Sequence, residues 1–144
     1  MNAMLFGDTV TLYNYVHVGN VRDGADGWRR TVLHGVQVKR QTEKTVGADG
    51  VLHVVQSVRV TVPAEVDAGG RHYQEPRLYK GSGAYWTLDA QSNLDLLVLG
   101  SCLTEMSEHY TLRDLAREYG YVTVKAVSDN TRRGRLKHWK VLAV

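Results

Sequence analysis

Apolar and polar residues alternate from the start of the chain. Val10, Leu12, Val16 and Val18 fall on one side, Thr9, Thr11, Tyr13, Tyr15 and His17 on the other, and Asn14 alone interrupts the apolar row. Successive side chains of a strand point to opposite faces, so the pattern predicts a half-buried strand over Thr9–Val18. Asp23-Gly24 and Asp26-Gly27 mark Gly19–Gly27 as a loop. A second strand follows over Trp28–Val38, with Gly35 the expected site of a bulge or bend. On toward Val46 the odd positions Gln37, Lys39, Gln41, Glu43 and Thr45 are all polar, and the even positions soften to Arg40, Thr42 and Lys44. A strand with this pattern leaves the core. Asp49-Gly50 signals a hairpin turn, because Gly accepts the positive φ that tight turns demand. Val51–Val62 returns with Leu52, Val54, Val58, Val60 and Val62 on one face, Gln56 breaking the row and Pro63 ending it. The reading is a long β-hairpin projecting over about residues 40–56, its outer end polar on both arms.

Ala64–Gly83 shows little periodicity and carries Gly69, Gly70, Pro76, Gly81 and Gly83. It reads as a long loop, about residues 64–84, of a length uncommon in compact domains and often functional. Tyr85–Leu88 and Leu94–Leu99 read as short strands. One helix is expected at about residues 112–119: Thr111 caps it, Asp114 completes a capping box, Leu112, Leu115, Ala116 and Tyr119 share a face, and Gly120 stops it. Tyr121–Val127 and Arg135–Ala143 are the last two strands, joined by the polar stretch Ser128–Gly134. Runs of strands with one short helix predict a mainly β fold, a small open β-barrel or sandwich, in a single domain over residues 1–144.

Composition narrows the class without naming an activity. The 144 residues are 43% hydrophobic and 23% charged, ordinary for a folded domain. No apolar run approaches the roughly 20 residues of a membrane-spanning helix, and Met1–Gly7 lacks the basic and apolar regions of a signal peptide. The single cysteine, Cys102, forms no internal disulfide, so the fold does not rest on an oxidising compartment. A soluble, intracellular protein is the expectation. Eighteen basic against fifteen acidic residues give a formal charge of +3, too small to imply nucleic-acid binding alone. Eight Tyr and three Trp against one Phe supply amphipathic rings suited to interfaces as well as cores.

The chemistry-bearing residues do not assemble into a reaction centre. The six histidines are dispersed, with no closely spaced pair of the kind zinc sites use. Glu105-Met106-Ser107-Glu108-His109 approaches an inverted zinc-peptidase motif, but Glu105 occupies the place of the first His. Cys102 and His109 suggest a thiolate pair, against the plainer reading of a small buried hydrophobe. Gly81-Ser82-Gly83 lacks the third Gly of a phosphate loop and precedes a strand. No catalytic residue, metal or cofactor is expected, and the chain is read as no enzyme. More informative are six basic residues between Lys125 and Val144 against the single acid Asp129. Arg132, Arg133, Arg135 and Lys137 are candidates for contact with DNA phosphates or an acidic partner, against a plain solvated loop. Val46, Asp49 and Val51 on the hairpin, with Tyr73 and Tyr79 in the long loop, are candidate subunit-interface residues. Flexible decoration is the alternative.

Several stretches taken in order carry a resemblance: Gly7–Asn14 (GDTVTLYN), Trp28–Val36 (WRRTVLHGV), Tyr85–Leu88 (YWTL), Asp95–Gly100 (DLLVLG), Thr111–Tyr119 and His138–Val141 (HWKV). This order resembles a family of small structural proteins of tailed phages and prophages, found near head-to-tail joining components. The resemblance spans most of the chain and implies a neck protein, a head-closure ("stopper") or connector subunit without enzymatic activity. It implies a homo-oligomeric ring below the portal with double-stranded DNA passing non-specifically through the lumen. The implied partners are further copies of the chain, portal or adaptor proteins and tail proteins, with no membrane. The implied location is the virion neck, and the host cytoplasm during assembly. A tail terminator or minor capsid protein is the alternative within that setting; a small β-barrel nucleic-acid-binding module is the alternative outside it.

Overall fold

A computed structural model describes residues 6–16, 27–107, 109–132 and 134–144. The predicted Gly19–Gly27 loop, His17, Val18 and Arg133 fall wholly or almost wholly outside the described residues. Eight strands and one helix follow in the order β1 (Asp8–Val16), β2 (Gly27–Val46), β3 (Leu52–Pro63), β4 (His72–Tyr73), β5 (Tyr85–Trp86), β6 (Leu96–Leu99), α1 (Leu112–Glu118), β7 (Val122–Asp129) and β8 (His138–Ala143). Six strands close into a ring in the order β1-β2-β3-β8-β7-β6, with every pairing antiparallel. Of barrel and sandwich, the barrel is the architecture present. The openness expected from the sequence is reduced to one thin seam, β6 against β7, held by Leu96↔Thr123 and Leu97↔Val122.

Strand alternation builds the interior. Val10 and Leu12 of β1, Leu33 and Val36 of β2, Val58, Val60 and Val62 of β3, Leu97 of β6, Val124 of β7 and Trp139, Val141 and Ala143 of β8 form one buried cluster. These side chains fill the space that the six strands enclose. Gly35 takes a φ of +85 where the β1–β2 register slips from Asp8↔Val36 to Thr9↔His34, so the bulge expected there is present.

The first strand departs from the half-buried expectation. Thr11 and Tyr13, on its outer face, are as buried as Val10 and Leu12. The reason is a second cluster on the outside of the barrel, where Leu115 of α1 and Cys102 cover Tyr13, Leu96 and Val98. The Tyr13 hydroxyl donates to the Thr104 carbonyl (2.6 Å) and lies 3.1 Å from Cys102 Sγ, while the Thr11 hydroxyl donates to the Gly100 carbonyl and accepts from the Cys102 amide. The helix is set by the capping residues read from the sequence: Asp114 accepts from the Thr111 amide at 3.0 Å, and Gly120 has a φ of +74.

The segment read as a structureless loop is instead packed on the barrel. Its His72–Tyr73 forms a short parallel pair with Tyr85–Trp86. Tyr73 lies 5.2 Å from Trp86 and 4.5 Å from Trp139, and the two Trp rings are 5.3 Å apart. Ala68 is buried in the barrel core, and Asp67 exchanges backbone hydrogen bonds with His34 of β2. The sequence misses this because single aromatic and small residues, not a period, carry the contact.

Asn14, the one polar residue in the apolar row of β1, ties this packed segment to the wall. Its side-chain amide donates to the Thr87 carbonyl (2.7 Å) and accepts from the Thr87 amide (3.2 Å), and it also donates to Asp95 Oδ2 (2.8 Å). Asp95 accepts further from the Tyr15 and Asp89 amides. Asn14, Thr87 and Asp95 are all buried. Replacing Asn14 with Ala strands the Thr87 peptide without partners and removes a donor from a buried carboxylate. Urea denaturation should show a loss of about 3 kcal/mol.

Burial pushes the Asp95 carboxyl up to about 6, against the opposing pull of its Tyr15, Asn14 and Asp89 donors. Over the interval from about 4 to about 6 the folded chain therefore holds a proton that the unfolded chain has released. Asp95 then subtracts from stability as pH rises, and its penalty is complete above about pH 6. An Asp95→Asn variant lacks that titration. The stability advantage of the wild type over this variant should shrink by on the order of 3 kcal/mol across the interval, measured by denaturation at a series of pH values.

Candidate functional site

The hairpin leaves the barrel beyond the last core pairings. Ser57 and Val58 are buried, whereas residues 39–46 and 51–56 are exposed throughout. Beyond the last β8 rung, Val58↔Ala143, the six exposed residues Gln41 to Val46 of the β2 arm correspond to a projection of about 20 Å. Over this length each arm pairs only with the other, from Gln41↔Ser57 out to Val46↔Leu52. The tip is organised by Asp49, whose Oδ1 accepts from the Val51 amide at 3.0 Å, and by Gly50 at a φ of +77. Asp49 thus has a turn-forming role.

The outer end is not polar on both arms, as the sequence pattern suggested. Val46 is 70% exposed, Leu52 57%, Val54 52%, Val51 52% and Val55 46%. Val46 and Leu52 are direct cross-strand partners, and Val54 stands two residues along on the same face. These three continue the inward-facing row of Val58 and Val60 out past the end of the barrel, where no core remains to cover them. At the hairpin's base, Leu97, Leu99 and Val122 line an open pocket beside Val58 and Tyr121.

A second surface is the outer face of β2, β3, β7 and β8. Lys39 lies directly opposite Arg59, and Lys140, paired with Thr61, is the diagonal neighbour of Arg59. The three line a shallow depression with Thr61, Ser128 and Leu142. Among the described residues none of the three cations makes an ion pair. The sequence holds no local signal for this patch, because its members are 20 and 81 positions apart and only the strand register brings them together.

Of the predicted contact residues, Arg132, Arg135 and Lys137 are exposed on the stretch between β7 and β8. Arg133 lies outside the described residues. The Thr131 hydroxyl and amide hold the Asp129 carboxyl below its usual range, with Arg132 adding a smaller pull. Val46 and Val51 are exposed at the hairpin tip. Tyr73 and Tyr79 are placed differently: Tyr73 packs on Trp86 and Trp139, and the Tyr79 hydroxyl is buried. Cys102 is fully buried, with the Tyr13 hydroxyl against its sulfur, and among the described residues His109 hydrogen-bonds through its backbone amide alone, to Ser107. Among the described residues no three His, Cys, Asp or Glu side chains gather as a metal site, and no helix is long and apolar enough to cross a membrane.

A family model matches residues 5–144, nearly the whole chain. The chain belongs to DUF6751, a family of unknown function. No curated protein and no solved structure matches it. What a DUF6751 chain does must therefore be read from its surfaces, and the hairpin tip and the basic face are two that the packing of the barrel does not require.

Like charges placed directly opposite in a sheet destabilise it. An Arg59→Glu substitution puts a carboxylate between Lys39 and Lys140 and should raise stability by about 0.5 kcal/mol, seen as a small increase in denaturation midpoint. A decrease would show that these side chains do not oppose one another.

Proposed function

We propose that this chain is a structural, non-catalytic subunit that assembles through its projecting hairpin into a homo-oligomeric ring. The setting we propose is the neck of a tailed phage, where a head-closure or connector ring lets double-stranded DNA pass through its lumen. The observation that carries the reading is the two-stranded arm with Val46, Leu52 and Val54 on one exposed face. An arm of this length stabilises nothing in the monomer, yet it offers apolar surface and free strand edges to a neighbour. A contact between the arm of one copy and a different surface of the next is heterologous, and such contacts close into rings when the rotation allows. The sequence resemblance to phage neck proteins supplies the setting, with a tail terminator or minor capsid component as its variant. In a ring the basic residues Lys39, Arg59 and Lys140, or Arg132, Arg135 and Lys137, would meet DNA as a diffuse positive surface.

A second reading rests on the same basic face: a monomeric β-barrel module that binds nucleic acid. The two readings separate in one set of measurements. Light scattering coupled to size exclusion should give a ring-sized oligomer for the wild type and a monomer for the Leu52→Ser, Val54→Ser double variant, with melting temperatures nearly equal. A wild-type chain that stays monomeric at high concentration overturns the ring. If that monomer binds duplex DNA with a salt slope of about −2.7, as three phosphate contacts give, the second reading holds.

A further inference from the structure

Beside the start of β2, away from the hairpin, three arginines line one pocket of about 350 Å³. Arg29 and Arg30 come from β2 and Arg71 from the segment packed over the barrel. All three are half-buried. Two are held in place by the backbone: Arg71 Nη1 donates to the Arg30 carbonyl (2.7 Å) and the Thr31 hydroxyl (2.9 Å), and Arg30 Nη1 donates to the Cys102 carbonyl (3.0 Å). These bonds fix the guanidinium planes but use only part of their donors. Arg30 Nε is buried without a partner, and Arg29 has no hydrogen bond or ion pair among the described residues.

Gly81 and Gly83 also line the pocket, and at Gly81 a φ of +87 and the 2.8 Å approach of Val16 Cγ2 to an added Cβ keep the position glycine. The counter-charge is thin. Glu105 is the one carboxylate lining the pocket, 3.7 Å from Arg30 Nη2 with its own side chain 69% exposed. Three half-buried arginines against one exposed carboxylate leave unmatched positive charge. Fixed guanidinium forks are the groups that bind tetrahedral oxyanions through paired N–H donors.

We infer that this pocket binds a phosphate group, with Arg29, Arg30 and Arg71 as its ligands and Glu105 as the side chain that must swing aside. The phosphate is either that of a free phosphate ester or that of a nucleic-acid backbone. The site is independent of the hairpin and of the ring assembly proposed above.

The test is a titration of the full-length protein with inorganic phosphate, followed through the arginine Nε–H resonances in NMR spectra, with chloride at matched ionic strength as control. Phosphate should shift the resonances of Arg29, Arg30 and Arg71 saturably. Arg29→Gln, which removes a guanidinium that makes no hydrogen bond or ion pair among the described residues, should weaken binding by about tenfold, and Glu105→Gln should strengthen it. Unchanged chemical shifts elsewhere in the Arg29→Gln spectrum establish that the fold is retained. A short DNA duplex that competes with phosphate assigns the backbone as the source; phosphate binding without such competition assigns a free ester. No saturable shift, the same shift with chloride, or binding unaffected by Arg29→Gln overturns the site.

Discussion

The structure depends on one buried tie. Asn14 sits in the wall of the barrel and presents an amide that pairs with the Thr87 peptide as a neighbouring strand would, while Asp95 gathers the donors around it. That tie joins the β4–β5 pairing in fixing the stretch carrying Trp86 and Leu88 against the barrel. With it, Trp86 meets Trp139 and Tyr73, and the segment between β3 and β5 closes over the core. An unpaired buried peptide group costs stability, and both sides of the Thr87 peptide are met. Here completeness also sets register, because both sides of one peptide must be met at once.

Two coverings then protect a narrow barrel. The inside is filled by β-branched and aromatic residues, and the outside of β1 and β6 is sealed by Cys102 and Leu115. What remains uncovered is correspondingly telling: an arm with apolar residues at its end, a sheet face with three unpaired cations, and a pocket of arginines. None of these is required by the fold, and the first two each cost a lone monomer stability or solubility, one through exposed apolar surface and one through mutual repulsion.

Much of this was legible in the sequence. The strand alternation, the Gly35 bulge, the Asp49-Gly50 turn and the Thr111–Asp114 cap all act locally, and each appears where the residues place it. Asn14 was visible as an anomaly in an apolar row, though not its partners, which are 73 and 81 residues away. The packed segment after β3 was illegible because its anchors, Ala68, Tyr73 and Trp86, follow no period. The basic face was illegible because Lys39, Arg59 and Lys140 become neighbours only through pairing. The polarity of the hairpin end was misjudged because Leu52 and Val54 were counted with the core row they continue, and a pattern does not say where the core stops.

β2 is one strand of 20 residues that is first wall and then arm. No loop or hinge separates the two roles. A weight hung on the arm's end is therefore borne by the wall directly, as by a cantilever built into its support. Pulled lengthwise, the β2–β3 ladder slides as a whole, and its hydrogen bonds share the load instead of parting one at a time. A limb of this construction transmits position and orientation, where a flexible tether would transmit only proximity.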